Sequence, residues 1–197
     1  MIGLLLKDLY VIRKQIAWYA GMLFFFGICS LIYSFLAYAA FAALMFTVSI
    51  PLAALSYEEK DHWQRFAVSS GLSAKTVVGE KYLLGVIFSV LATLVFLGFF
   101  LFMDDSGQSW EGFAGSACLQ LLFLAIDLPL VFRYGVERGR MIAIALAFLE
   151  VLLLIGAVNL FSNFPLLLTL LLLFACSAGV LVASFFLSVL IFRRRQP

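Results

Sequence analysis

The sequence predicts an all-α integral membrane protein with six transmembrane helices, an N-terminal interfacial helix and a short cytoplasmic helix between spans two and three. Three observations carry that prediction. Of the 197 residues, 65% are hydrophobic and 12% are charged, against roughly 25% charged in a soluble domain. Uncharged stretches that approach or exceed the roughly 20 residues needed to cross a bilayer recur along the chain. All 13 Lys and Arg residues fall on one side of a six-span arrangement, as basic residues of cytoplasmic loops do. A soluble surface needs polar cover, so a chain this poor in it has lipid as its main solvent.

We read residues 1–197 as one transmembrane domain. Ile2, Leu5, Leu6 and Leu9 form an apolar stripe with Lys7 and Lys14 off it. Residues 1–15 are therefore expected to lie as a helix on the inner membrane surface. No Asp, Glu, Lys or Arg occurs from Gln15 to Tyr57. That run holds two crossings, residues 16–33 and 39–55, joined by a tight turn over Ser34–Tyr38. Ala37-Tyr38-Ala39 mimics a signal-peptide cleavage site, but signal h-regions are only about 7–15 residues long. The segment is read as retained membrane helix. Spans three and four are residues 82–103 and 112–132, the second interrupted only by Asp127. Span five, 141–160, holds Glu150. Span six, 165–192, is long enough to tilt or to extend past the membrane. Asn159, Ser162, Asn163 and Pro165 mark the turn before it.

This layout puts both termini, the loop 56–81 and the segment around Arg133–Arg140 in the cytoplasm. The other side receives Asp104, Asp105 and Glu111 and no basic residue. Trp18, Tyr82 and Tyr134 fall near the inner boundary, and Tyr33, Tyr38 and Trp110 near the outer one. In a background without the native cysteines, single cysteines at Asp105 and Lys60 are expected to label oppositely with an impermeant thiol reagent in intact cells. Labelling of the Lys60 position from outside would overturn the topology.

The outer loops are too short for an extracellular domain, so the polar structure is concentrated in Ser56–Lys81. Ser56-Tyr57-Glu58-Glu59 fits a capping box, with Glu59 reaching back to Ser56. Asp61 and Arg65 have the spacing of a favourable helical ion pair. Trp63, Phe66, Ala67 and Ser70 would share one face of the helix so started. Gly71 suits a left-handed stop, and Ser73 can cap the helix that becomes span three. Such an amphipathic helix either lies on lipid or docks a cytoplasmic partner.

Several chemistries are excluded. The net charge of +2, with no concentrated basic face, argues against nucleic acid as a partner. The stretch Ser69–Thr76 resembles a phosphate-binding loop only superficially, since Ala74 and Ser69 stand where that loop needs glycine. The chain is therefore not expected to bind ATP. His62 is the sole histidine, and Cys29, Cys118 and Cys176 lie apart in apolar runs. No zinc set, serine triad or thiol pair results, so no catalytic, cofactor or metal site is assigned and an enzyme is not expected.

Two acids fall inside spans. Glu150 lies about 13.5 Å past Met141 at about 1.5 Å per residue, near the bilayer midplane. A carboxylate there must face protein, a partner or water, or hold a proton. Asp127 lies nearer the inner boundary, within expected reach of Arg133 or another basic residue. We treat both as candidates for an intramembrane polar pathway. Small residues recur at four-residue spacing in Ala17 and Gly21, and in Ala175, Gly179 and Ala183, a pattern that permits close helix approach.

Three segments, in order, give the chain a resemblance to the short permeases of ABC-2 type transporters. Leu5-Leu6-Lys7-Asp8-Leu9 is similar to that family's N-terminal interfacial helix. Tyr57–Trp63, continuing through Ser73–Val78 to Lys81-Tyr82-Leu83, resembles its first cytoplasmic loop. Pro129–Gly135, with Gly139-Arg140 after it, resembles its second. One departure is Gly71-Leu72, where members often carry Leu-Pro. The resemblance implies a permease that pairs with itself or a sister chain in a bacterial cell membrane. It also implies a separate ABC ATP-binding subunit holding ATP and Mg, docked on the coupling helix after span two. Glu58, Glu59, Trp63, Phe66 and Arg133 are the residues expected to meet that subunit. The implied cargo is a hydrophobic or amphipathic compound such as a peptide, antibiotic or lipid. The rival reading is a six-span substrate-capturing subunit of a vitamin importer, which would need a polar outer pocket that these outer loops are poorly equipped to build.

Overall fold

The computed structural model describes residues 2–61, 63–102, 110–142, 145 and 166–195. Helix α1 spans Ile2–Tyr33, α2 Leu36–Lys60, α3 Trp63–Ser69, α4 Ala74–Leu101, α5 Trp110–Tyr134 and α6 Leu166–Arg195. Residues 136–142 are also helical. Among the described residues there is no strand. Five helices, all but the short α3, are long and apolar enough to cross a membrane. They match the expected spans one to four and six. The expected fifth span, 141–160, and with it Glu150, lies almost entirely outside the described residues.

Two boundaries around the first span differ from the sequence reading. Helix α1 is unbroken, so the N-terminal segment is continuous with span one. At 32 residues it is about 48 Å long, well beyond a hydrocarbon core of about 30 Å. Nothing between Lys14 and Ala17 breaks a helix. The face it turns inward also differs. Leu5, Asp8 and Ile12 point into the bundle, whereas Leu6 and Leu9 are exposed. The turn after span one is shorter than expected, with only Ser34 and Phe35 between helices and Ser34 in the left-handed region at φ 48°.

Helices α2 and α4 form the middle of the bundle. Helix α2 packs on α1, α4 and α5, and α4 on α1, α2, α5 and α6. The most extensive pairing is α5 with α6. Two apolar clusters hold these helices. One joins Leu52 and Leu55 of α2, Val78 of α4, Leu128 and Phe132 of α5 and Phe192 of α6. The other joins α1, α2 and α4 around Ala43, Ile50, Phe88 and Phe96.

Polar groups inside the bundle bind helix to helix, as they must where no water is available. Pro129 lies within α5 and has no N–H to offer the carbonyl of Ala125 one turn earlier. Ser184 of α6 supplies that hydrogen bond instead. Its proton being committed there, Ser184 accepts from the Tyr82 hydroxyl at 2.6 Å. Tyr82 in turn accepts from Ser188 at 2.8 Å. Tyr82 is thus a buried tie between α4, α5 and α6. The buried Gln120 of α5 plays a similar part, its carbonyl accepting from Thr47 of α2 at 2.9 Å.

Candidate functional site

The organised polar structure sits at one end of the bundle, where the start of α1, the end of α2, α3, the start of α4 and the end of α5 meet. The capping box expected at Ser56 does not form, because α2 runs through Ser56 to Lys60. Tyr57-Glu58-Glu59-Lys60 contains no breaker, and a serine can sit inside a helix when nothing stops the turn. The chain breaks after Lys60, with Asp61 at the C-cap. The expected Asp61–Arg65 pair is therefore not within one helix. Helix α3 stops as predicted. Gly71 is left-handed at φ 82° and the Leu72 N–H donates to the Ala67 carbonyl at 3.1 Å, a Schellman closure. Ser73 caps α4 as expected, accepting from the Thr76 N–H at 3.2 Å.

Lengthening α2 gives Glu58 and Glu59 different tasks. Glu58 is buried, and its Oε1 lies 2.5 Å from Lys7 Nζ and 2.8 Å from Lys81 Nζ. Lys81 is 0% exposed and also pairs with Asp8. Glu80 Oε1 is 3.6 Å from the same ammonium. Asp8, Glu58 and Glu80 bring carboxylate oxygens within 4.8 Å of one another, a spacing that could hold a cation. The Lys81 ammonium already supplies positive charge at that point. The cluster joins α1, α2 and α4, and the sequence reading missed it apart from Glu58. The available signal was a lone acid, Asp8, in an apolar N-terminal segment, with a lysine opening span three.

Glu59 reaches the second loop. Its Oε2 accepts from the Val136 N–H at 2.9 Å, serving a backbone donor at the start of the helical stretch 136–142 that has no helical partner of its own. Gly135 makes the corner at φ 86°, and a Cβ there would lie 2.8 Å from Glu59 Oε1. The left-handed backbone is what favours glycine here, and a Cβ would also have to displace the end of the Glu59 side chain.

Helix α3 faces the bundle with Ala67 and Trp63 and displays Phe66. Trp63 is partly buried on the apolar cluster beneath it, and Lys7 Nζ sits 4.3 Å over its ring. Phe66 is 59% exposed, its ring 5.1 Å from that of Trp63. The single face expected for these two aromatics is thus divided between support and display. Arg133 is exposed, its guanidinium 5.3 Å over the Tyr134 ring.

Asp127 is 3% exposed in α5, with Oδ1 lacking a hydrogen-bond partner among the described residues. No described basic side chain pairs with it, so the expected link to Arg133 is not made. The structure does not bring Asp127 into the charged cluster.

Five helices long and apolar enough to cross a membrane, three of them joined by a buried ion cluster, mark a multi-pass membrane protein. The profile of a family described as ABC-2 family transporter protein matches residues 3–193. The chain belongs to that family. Comparison with curated proteins and with solved structures finds no match.

Proposed function

We propose that this chain is the permease subunit of an ABC exporter, moving a hydrophobic or amphipathic compound out across a bacterial cell membrane. A separate ATP-binding subunit holds ATP and Mg, and a second permease subunit completes the pathway. Both termini and α3 lie on the cytoplasmic side. Asp127 and Glu150 contribute polar points along the route.

The observation that carries this reading is α3 itself. It displays Phe66 on a helix anchored from below by Trp63 and Ala67, at the end of the bundle that also carries the exposed Arg133. A large aromatic held out on a fixed support is the kind of anchor that dominates protein interfaces. Glu59 fixes the second loop beside it through Val136. Glu58 supports this surface from within and does not touch the partner directly.

Phe66→Ala should insert and fold normally, since its side chain is exposed and touches no span interior. It is expected to weaken association with the ATP-binding subunit about a hundredfold, corresponding to about 2.8 kcal/mol. Trp63→Ala should produce the same loss together with a lower melting temperature, because Trp63 is also part of the core. Pull-down yield and ATP hydrolysis by the complex are the measurements. Normal values for Phe66→Ala would reject α3 as the docking element and leave it a helix on the lipid surface.

A further inference from the structure

The charged cluster has one member that looks outward. Lys81 is enclosed by Asp8, Glu58 and Glu80, and its place is that of a countercharge inside a joint. Lys7 differs. Its side chain is 28% exposed, and it divides one ammonium among three partners. These are Asp8 Oδ1 at 3.0 Å, Glu58 Oε1 at 2.5 Å and the face of Trp63 at 4.3 Å. Asp8 belongs to α1, Glu58 to α2 and Trp63 to α3. Lys7 and Lys81 share the same oxygen of Glu58, so a shift of one ammonium alters the field on the other. Among the described residues, and apart from packing on the apolar cluster, Lys7 is the contact through which α3 meets this joint.

We infer that Lys7 is a positioning residue that transmits movement of α3 to the joined inner ends of α1, α2 and α4, through its seat on Trp63 and its ion pair with Glu58. The inference rests on α3 being the docking element for the ATP-binding subunit. When that subunit displaces α3, Trp63 shifts under the ammonium. Lys7 then draws on Glu58, and the Glu58–Lys81–Asp8 connection carries the displacement into three spans together. In a buried network of this kind the contacts strengthen one another, so the three helix ends respond as one body. Lys7 needs no contact with the partner or the cargo to do this.

The test uses the full chain with its cognate ATP-binding subunit in liposomes and MgATP as the probe. Three quantities are read: pull-down yield, melting temperature, and the change in ATP hydrolysis that the permease imposes on its partner. Lys7→Met keeps the aliphatic stem and removes the charge. It is expected to reduce the permease-dependent change at least fivefold, with pull-down and melting as in the wild type. Lys7→Arg should retain at least half of it, because a guanidinium both stacks on an indole and pairs with a carboxylate. Lys7→Gln, which removes the charge and keeps an amide donor for Glu58, should show the same loss as Lys7→Met and stands in for it if that variant does not fold. Wild-type coupling in Lys7→Met, or in Lys7→Gln where it stands in, overturns the inference. So does a loss of pull-down parallel to the loss of coupling, which would place Lys7 in the docking surface and leave the proposed function intact. A lowered melting temperature with coupling restored on cooling would reduce Lys7 to a structural role and also overturn it. Failure of the wild-type chain to retain the ATP-binding subunit would remove the docking reading itself, and this inference with it.

Discussion

Replacing Lys81 with methionine is expected to destabilise the bundle by about 3–5 kcal/mol, the range for breaking a buried ion pair by deleting one partner. The cost arises from what remains. Asp8 and Glu58 each lose the enclosed one of the two ammonium groups that offset their burial, keeping only the partly exposed Lys7, and neither can turn to water, being 2% and 4% exposed. The methionine itself packs well, since its length and flexibility suit the vacated channel. Removing the charges together should therefore recover most of the loss. Lys81→Met combined with Asp8→Asn, Glu58→Gln and Glu80→Gln leaves no uncompensated carboxylate around the site. Replacing buried ionic sets whole is often neutral or better. Lys81→Arg keeps the charge but forces a broader head into a fully enclosed place, with an expected cost of about 1–3 kcal/mol.

Thermal unfolding followed by a thiol-reactive dye reads these differences directly. Cys118 is buried and becomes reactive only on unfolding, while Cys29 and Cys176 are more accessible and are first replaced by alanine. A Lys81→Met protein that melts like the parent would contradict the enclosed position of Lys81. Equal damage in the single and the combined variant would show that the site's shape, and not its charge balance, holds the three helices.

What could be read from the chain depended on whether the signal was local. The spans follow from runs of apolar residues, and Gly71 and Ser73 follow from turn and cap preferences within a few residues. Spans one to four and six, the Gly71 stop and the Ser73 cap are reproduced by the structure, and the fifth span lies almost entirely outside the described residues. The charged cluster is non-local: Asp8 and Lys81 are 73 positions apart. An acid and a base in separate polar segments carry no mark of their pairing. Read alone, Asp8 belongs to a surface helix and Lys81 to the positive cytoplasmic side. Ser56 failed in the opposite way. Its local pattern favoured a new helix, but an existing helix with nothing to stop it continued through the pattern. The small-residue stripes are a separate case. Ala17, Gly21, Ala175, Gly179 and Ala183 face outward, and Gly27 and Gly85, outside any stripe, approach a side chain of a neighbouring helix closely.

Gly85 provides the second large effect. A Cβ at that position would lie 2.4 Å from Leu124 Cδ1, 2.8 Å from Cδ2 and 3.1 Å from Cγ. Leu124 is among the fully buried side chains at the α4–α5 contact, so it has no open space into which to swing. Gly85→Leu must push α4 and α5 apart or force Leu124 off its rotamer, at an expected cost of about 1–3 kcal/mol. Leu124→Ala alone leaves a cavity, at about 2–5 kcal/mol. Combined, the two changes move one side chain's volume from α5 to α4. The double variant should therefore be more stable than the sum of the singles by about 0.5–3 kcal/mol. Gly179→Leu serves as the control, since nothing lies within 4 Å of a Cβ there; its melting temperature should stay at the parent value. Strict additivity of Gly85→Leu and Leu124→Ala would mean that these residues do not share one space, and that α4 and α5 do not pack in the register described.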